Sequence, residues 1–231
     1  MFQEEIKNFL GLNNLDNVGI YMIHLERITE RLENVRKLEK DLGLTFNKFW
    51  GIDGRKLVEN GCPTKDNLNP TMNRIPGSIG CSVSHIEVCK DAYKNGYNYA
   101  IIFEDDAILN NKELFYDYLR KCKEYFDSSE TSWDIFYMGS TNLEFSEINK
   151  YIARIYFSFG LHSYIINKNM MLKIIERFNN NYNLGYIERS DWLTSNILKS
   201  SLVEGYGINL GEFEQPFTID RKYETTCRPD F

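Results

Sequence analysis

Apolar and polar positions along this chain alternate between two rhythms. Val18 to Leu25, "VGIYMIHL", is a nearly unbroken apolar run rich in β-branched and aromatic residues, the pattern of a strand buried on both faces. In "TERLENVRKLEKDLG", Leu32, Val35, Leu38 and Leu42 are spaced for one face of a helix, with Thr29 as its N-cap and Gly43 as its stop. "FNKFWGIDG" then predicts a second strand that closes in a turn, so the chain opens as a βαβ unit. Residues 58 to 78 hold prolines and no period, which predicts a long loop of the kind that often forms a lid. Helical spacing resumes in "SVSHIEVCKDAYKNG", where Ser84 and Glu87 form a capping box and Asn95-Gly96 a stop. "YAIIF", "WDIFYMG" and "SYIIN" predict further strands. "KELFYDYLRKCKEYF", "NMMLKIIERF" and "DWLTSNILK" predict further helices, with an Asn-rich loop between the last two. No repeat and no linker interrupts this alternation. The expectation is one α/β domain over residues 1–231 with a mainly parallel central sheet.

One of these strands ends abnormally. In "YAIIFEDDAIL", Tyr99 to Leu109, the apolar run stops at three adjacent acids, Glu104, Asp105 and Asp106, with no turn residue between. Crowded like charges repel, and ligands of such sheets bind at the carboxyl ends of strands. Two explanations stay open: a solvated loop that caps a helix, or a site for a hard divalent cation shared with substrate phosphates. Mg²⁺ or Mn²⁺ there would relieve the repulsion and stabilise charge on a departing nucleoside diphosphate. The chain contains neither G-x-x-x-x-G-K-[ST] nor G-x-G-x-x-G, so nucleotide-sugar chemistry fits better than ATP hydrolysis. Nucleotide-sugar synthesis also fits less well, for want of an early Gly-rich, basic phosphate loop.

Charge and cysteine content narrow the partners. A formal net charge of −6 without a basic run excludes a phosphate-neutralising nucleic-acid surface. No apolar stretch approaches the roughly 20 residues of a membrane-spanning helix, and the first residues lack a secretion-signal layout. A soluble protein, cytoplasmic or peripheral to a membrane, is expected. The 5 cysteines include no CxxC pair, which argues against a structural zinc site or disulfide framework; Cys81 and Cys89 read as buried thiols.

"GSIGCSVSHIEVCKDAYKNGYNYAIIFEDDAIL" resembles the signature region of glycosyltransferase family 25, which includes bacterial lipopolysaccharide glycosyltransferases and collagen galactosyltransferase domains. The matching blocks are Ile79-Gly80-Cys81, Ser84-His85 and Glu104-Asp105-Asp106. "IYMIHLERITER", "GIDG", "WDIFYMG", "SYIINKNMMLKII" and "RSDWLTSNIL" extend the resemblance over most of residues 18 to 200. It implies a GT-A-type, Rossmann-like fold, a UDP-linked sugar donor, Mn²⁺ and an inverting transfer. Two positions depart from the pattern. Ser78 stands where an acidic residue precedes Ile-Gly-Cys, and His24-Leu25 stands where Asn-Leu is usual.

With that resemblance, roles can be assigned. Glu104, Asp105 and Asp106 form the metal-diphosphate corner, with Asp106 and a neighbour such as Glu104 reaching the cation. His162 is a further candidate ligand, since neutral imidazole suits Mn²⁺, or a structural histidine. Arg31 reads as a contact to phosphates or base, or as a surface residue. Asp53 reads as an acceptor from ribose or uracil, or as a turn aspartate, with Gly54 easing the turn. Ser84 and His85 would open a helix whose N–H groups face an anionic ligand, or His85 packs in the core. Asp191 is the candidate general base that takes the acceptor's proton, or the N-cap of its helix, with Glu188 second in line. The expected acceptor is a hydroxyl of a glycan, lipid-linked glycan or protein. The alternative is an inactive relative serving as a binding module, to which Ser78 points.

Overall fold

Residues 2–46, 50–63, 76–200, 203–209 and 216–219 are described by a computed structural model. A five-stranded sheet in the order β1-β2-β5-β4-β6 forms its centre. These strands are β1 (Val18–Ile23), β2 (Tyr99–Glu104), β4 (Ile135–Glu147), β5 (Ile152–Asn167) and β6 (Gly205–Ile208). β1 runs parallel to β2, and β4 parallel to β6, while β5 is antiparallel to β2, β4 and β6. Four strands therefore point one way and β5 alone opposes them, so the α/β class and the mainly parallel sheet stand. A short pair, β3 (Ala107–Leu109) with β7 (Phe217–Ile219), lies beyond the end of β2.

The unbroken apolar runs have a direct cause: both faces of the sheet are covered. On one side Met22, Ile101, Phe103 and Phe136 pack with α1 (Phe2–Leu10), α2 (Leu32–Leu42) and α5 (Lys112–Ser129). On the other, Tyr21, Ile102, Tyr137 and Tyr164 pack with α4 (Pro76–Lys94), α6 (Lys168–Asn183) and α7 (Ser190–Lys199). Successive strand residues alternate between these two cores. Each fully buried large side chain contributes roughly 1.5–3 kcal/mol by leaving water.

Several sequence expectations are corrected. The described residues of "FNKFWGIDG" join no strand ladder. Trp50 N–H donates to Met22 O at 3.3 Å, and Asp53 caps a short helix, α3 (Gly54–Glu59). Part of the expected long loop is thus helical, and residues 64–75 of it lie outside the described residues. α4 begins at Pro76, so Ser84 and His85 sit within it and do not supply a helix start. Ser84 Oγ donates to Gly80 O at 2.6 Å instead of capping. Thr29 opens a 3₁₀ turn, Thr29–Arg31, that leads into α2 with no side-chain cap. The Asn-rich stretch is the last part of α6. β4 continues well past its predicted end and β5 begins well before its predicted start, so the two form a long, bulged antiparallel ribbon.

Candidate functional site

The parallel register Ile23↔Glu104 ends β1 and β2 at the same level. The residues that leave the two strands therefore meet at one rim. His24, directly after β1, is buried, and its Nδ1 lies 2.9 Å from Asp105 Oδ2. Arg31 Nη1 donates to Asp105 Oδ1 at 2.5 Å and lies 3.5 Å from Asp106 Oδ2. Asn34 Nδ2 donates to the carbonyls of Asp105 at 2.7 Å and Ala107 at 3.0 Å, pinning the acidic turn to α2. Asp105 is thus engaged through both carboxylate oxygens, and Arg31 is a buried member of the corner.

Glu104 is the centre of a second set. Continuing the antiparallel register Phe103↔Ser163 by one residue brings Glu104 beside His162, whose Nδ1 is 3.4 Å from Glu104 Oε2 and 3.8 Å from Asp106 Oδ1. Gly160 makes room for that ring: its backbone is left-handed, and a Cβ there would fall 2.5 Å from His162 Nε2. From α4, His85 Nε2 lies 2.7 Å from Glu104 Oε1, and His85 Nδ1 lies 2.7 Å from the Tyr164 hydroxyl. His85 is buried behind Glu104 as a partner of that carboxylate.

These contacts set the charges. Burial works against the Glu104 carboxylate, but hydrogen bonds from His162 and His85 outweigh it and hold the group well below the ordinary range. Asp106 has no such support. Burial, reinforced by the charge of Glu104, pushes its carboxyl up to about 7, and among the described residues its Oδ1 is buried without a hydrogen-bond partner. For His162, burial alone would lower the imidazole pKa, yet the hydrogen bond and charge of Glu104 raise it.

Two clefts meet at this point, sharing Glu104 and Cys81 as their common wall. The first, about 690 Å³ with its open mouth, is lined by Arg27, Arg31, Asp53, Gly54, Ser84, Asp105 and Asp106 among others. Asp53 caps α3 by accepting from Arg55 N at 3.0 Å, and it accepts from Arg27 Nε at 2.9 Å. Burial would raise its pKa, but the bond from Arg55 and the charge of Arg27 lower it. Gly54 is required by close approach: a Cβ would fall 1.7 Å from Pro76 O. Ser84 Oγ accepts from Ile52 N at 2.9 Å and so fixes this loop to α4.

The second cleft, about 840 Å³, is lined by Ser78, Ser82, Phe159, Gly160, Leu161, Arg189, Ser190 and Asp191 besides the shared pair. Asp191 lies in the first turn of α7 rather than at its N-cap, which is Arg189. Its Oδ2 accepts from Arg189 Nη2 at 2.8 Å and its Oδ1 from Trp192 N at 2.9 Å. Trp192 backs Phe159 within an edge-to-face trio that includes Phe157. Glu188 faces neither cleft. It is buried and accepts two bonds from Arg177, one from Asn181 and one from Asn196.

Sequence reasoning named Glu104, Asp106 and His162 as ligands, and one donor atom from each lies within 4.8 Å of the others. It did not assign roles to Cys81, Tyr164 and Asn34. Cys81 stood in the Ile-Gly-Cys block but read as a packed thiol; the other two carry no local signal.

The model of "Glycosyltransferase family 25 (LPS biosynthesis protein)" matches residues 17–191, the stretch that contains both clefts. The chain belongs to glycosyltransferase family 25. A "Glycosyltransferase 25 family member" from Aedes aegypti is 27% identical over 62% of this chain and 25% of its own length. "Procollagen galactosyltransferase 1" from Danio rerio is 21% identical over 59% of the chain and 24% of its own. This family 25 chain therefore spans about a quarter of the curated relatives it matches. Among solved structures, apo UDP-glucose pyrophosphorylase shares 8% identity at a TM-score of 0.40, over 89% of this chain and 76% of that one. Among the described residues no helix is long and apolar enough to cross a membrane.

Proposed function

We propose that this family 25 domain transfers a hexose from a UDP-sugar to a hydroxyl of a glycan, lipid-linked glycan or protein, with inversion and with a divalent cation, Mn²⁺ or Mg²⁺. One observation carries the reading: the buried, unpartnered Oδ1 of Asp106 beside Glu104 and His162, where the two clefts meet. A buried carboxylate oxygen with no donor suits the role of a cation ligand, and a trio of two carboxylates and an imidazole suits Mn²⁺ better than Mg²⁺. Glu104, Asp106 and His162 would hold it, and the ion would supply charge stabilisation to the departing diphosphate.

The remaining work belongs to the chain's own residues. The first cleft receives the nucleotide: Asp53 offers a carboxylate oxygen to ribose or base, and Arg31, held by Asp105, places positive charge on the floor near the phosphates. The second cleft receives the acceptor, with Phe159 as an apolar wall for a sugar face. Asp191 accepts the proton of the attacking hydroxyl as its oxygen bonds to the anomeric carbon and the bond to the diphosphate breaks on the opposite face. Arg189 orients that carboxylate. Ser78 in the second cleft, where the family pattern has an acid, distinguishes the acceptor or sugar handled here.

UDP release from a UDP-hexose should require Mn²⁺ and fall about 10²–10⁴-fold in Asp191→Asn with the circular dichroism unchanged. Undiminished turnover in that variant removes Asp191 as the base. Calorimetry that finds no binding of UDP with Mn²⁺ would favour the binding-module reading suggested by Ser78.

A further inference from the structure

The two carboxylate oxygens of Glu104 serve different neighbours. Oε2 faces His162 at 3.4 Å, whereas Oε1 faces His85 Nε2 at 2.7 Å and Cys81 Sγ at 3.7 Å. Cys81 and His85 are four residues apart on α4, so the thiol and imidazole leave the helix on one face. One donor atom each from Cys81, His85 and Glu104 lies within 4.8 Å of the other two. The other nitrogen of His85 is held by the Tyr164 hydroxyl, which can accept its N–H and fix the ring as the outer partners of ligating histidines do. Cys81 lines both clefts, which gives an ion a path in.

We propose that Cys81, His85 and Glu104 form a second metal site, for a thiophilic divalent cation such as Zn²⁺, that antagonises the hard cation of the neighbouring trio. A sulfur, nitrogen and oxygen donor set suits Zn²⁺, while Mg²⁺ and Mn²⁺ favour oxygen-rich sets. Three protein ligands leave a fourth position for water or substrate. On binding, the thiol releases its proton, the His85 proton that Nε2 gives to Glu104 passes through water to Nδ1, the bare Nε2 turns to the ion, and Nδ1–H donates to the Tyr164 oxygen. No residue has to move to another part of the fold. The antagonism follows from sharing: two divalent charges on opposite oxygens of one carboxylate repel, and each takes electron density the other needs. The antagonism matters for catalysis only through the transferase reading above, but the site itself does not depend on that reading.

Co²⁺ is the probe. The wild-type chain should develop a thiolate-to-cobalt charge-transfer band in the near ultraviolet, which Zn²⁺ abolishes by displacement. Cys81→Ser should lose the band while keeping its far-ultraviolet circular dichroism, and Tyr164→Phe should weaken Co²⁺ binding about 10–100-fold. Mn²⁺ affinity, read from its paramagnetic signal, should fall about 5–150-fold more at saturating Zn²⁺ in wild type than in Cys81→Ser, where Zn²⁺ acts only by direct competition at the trio. No band in wild type, or a band that persists in Cys81→Ser, overturns the site. A Zn²⁺ effect on Mn²⁺ binding that is the same in wild type and Cys81→Ser overturns the antagonism. A normal band without any Mn²⁺-dependent UDP release would instead sink the transferase reading and leave this site standing.

Discussion

Glu188 and Asp106 are both carboxylates drawn into the protein, and they are treated in opposite ways. Glu188 receives four hydrogen bonds from Arg177, Asn181 and Asn196, which satisfy its charge completely. Among the described residues, Asp106 keeps a buried oxygen with no donor, next to Glu104 and with only Arg31 and His162 at ion-pair range. A satisfied buried carboxylate holds helices together; an unsatisfied one has an oxygen free to take a counter-charge. Glu188 ties α6 to α7, and for that reason it is not the reserve base that its position beside Asp191 suggested.

The comparison can be broken by removing each partner in turn. Glu188→Ala strands Arg177, Asn181 and Asn196, and urea unfolding should show a loss of about 3–5 kcal/mol, with activity per folded molecule retained. A stability change near zero would make Glu188 a functional group after all. Asp106→Asn should do the reverse. Mn²⁺-dependent turnover should fall about 10²–10³-fold, while stability holds or rises because a poorly supported charge has gone.

The raised Asp106 carboxyl gives a pH test. With its pKa near 7 in the folded protein, a proton competes with the cation below that value. Mn²⁺ affinity should climb at least about tenfold per pH unit up to that point and level off only once His162, whose pKa is also raised, has lost its proton. The sign for the metal-free protein is opposite. A folded pKa above the unfolded one contributes stability that is full below about pH 4 and lost as pH rises through about 7. Added Mn²⁺ should erase that loss in thermal unfolding. A flat Mn²⁺ profile between pH 5 and 8 would break the link between Asp106 and the ion.

The smallest effect should come from His24→Asn, which installs the asparagine that the family resemblance implies at this position. An amide can still donate to Asp105 Oδ2, so stability should change by no more than about 0.5–1.5 kcal/mol, with Mn²⁺ affinity nearly unchanged.

The acidic corner was legible in the sequence because its cause is local: "AIIF" fixes a buried strand, and three acids next to it must emerge at that strand's end. The stops at Gly43 and Gly96 were legible for the same reason. The start of α4 was not, since "PTMNRIPGS" carries no helical period and the pattern becomes readable only near Ser82. Nor was the helical start of Gly54–Glu59, where close packing against Pro76 rather than turn chemistry requires the glycine. The reversed direction of β5 could not be read either, because a strand buried on both faces has the same apolar pattern whichever way it runs.

By itself, then, the chain determined four of the five central strands, β1, β2, β4 and β5, where one of them delivers its carboxylates, and which family pattern they follow. Folding decided which of those carboxylates would be satisfied. His162 lies 58 residues from Glu104, and Arg31 lies 74 from Asp105. Hydrogen-bond saturation and desolvation depend on partners supplied across strand register and helix packing, and no local window of sequence contains those partners.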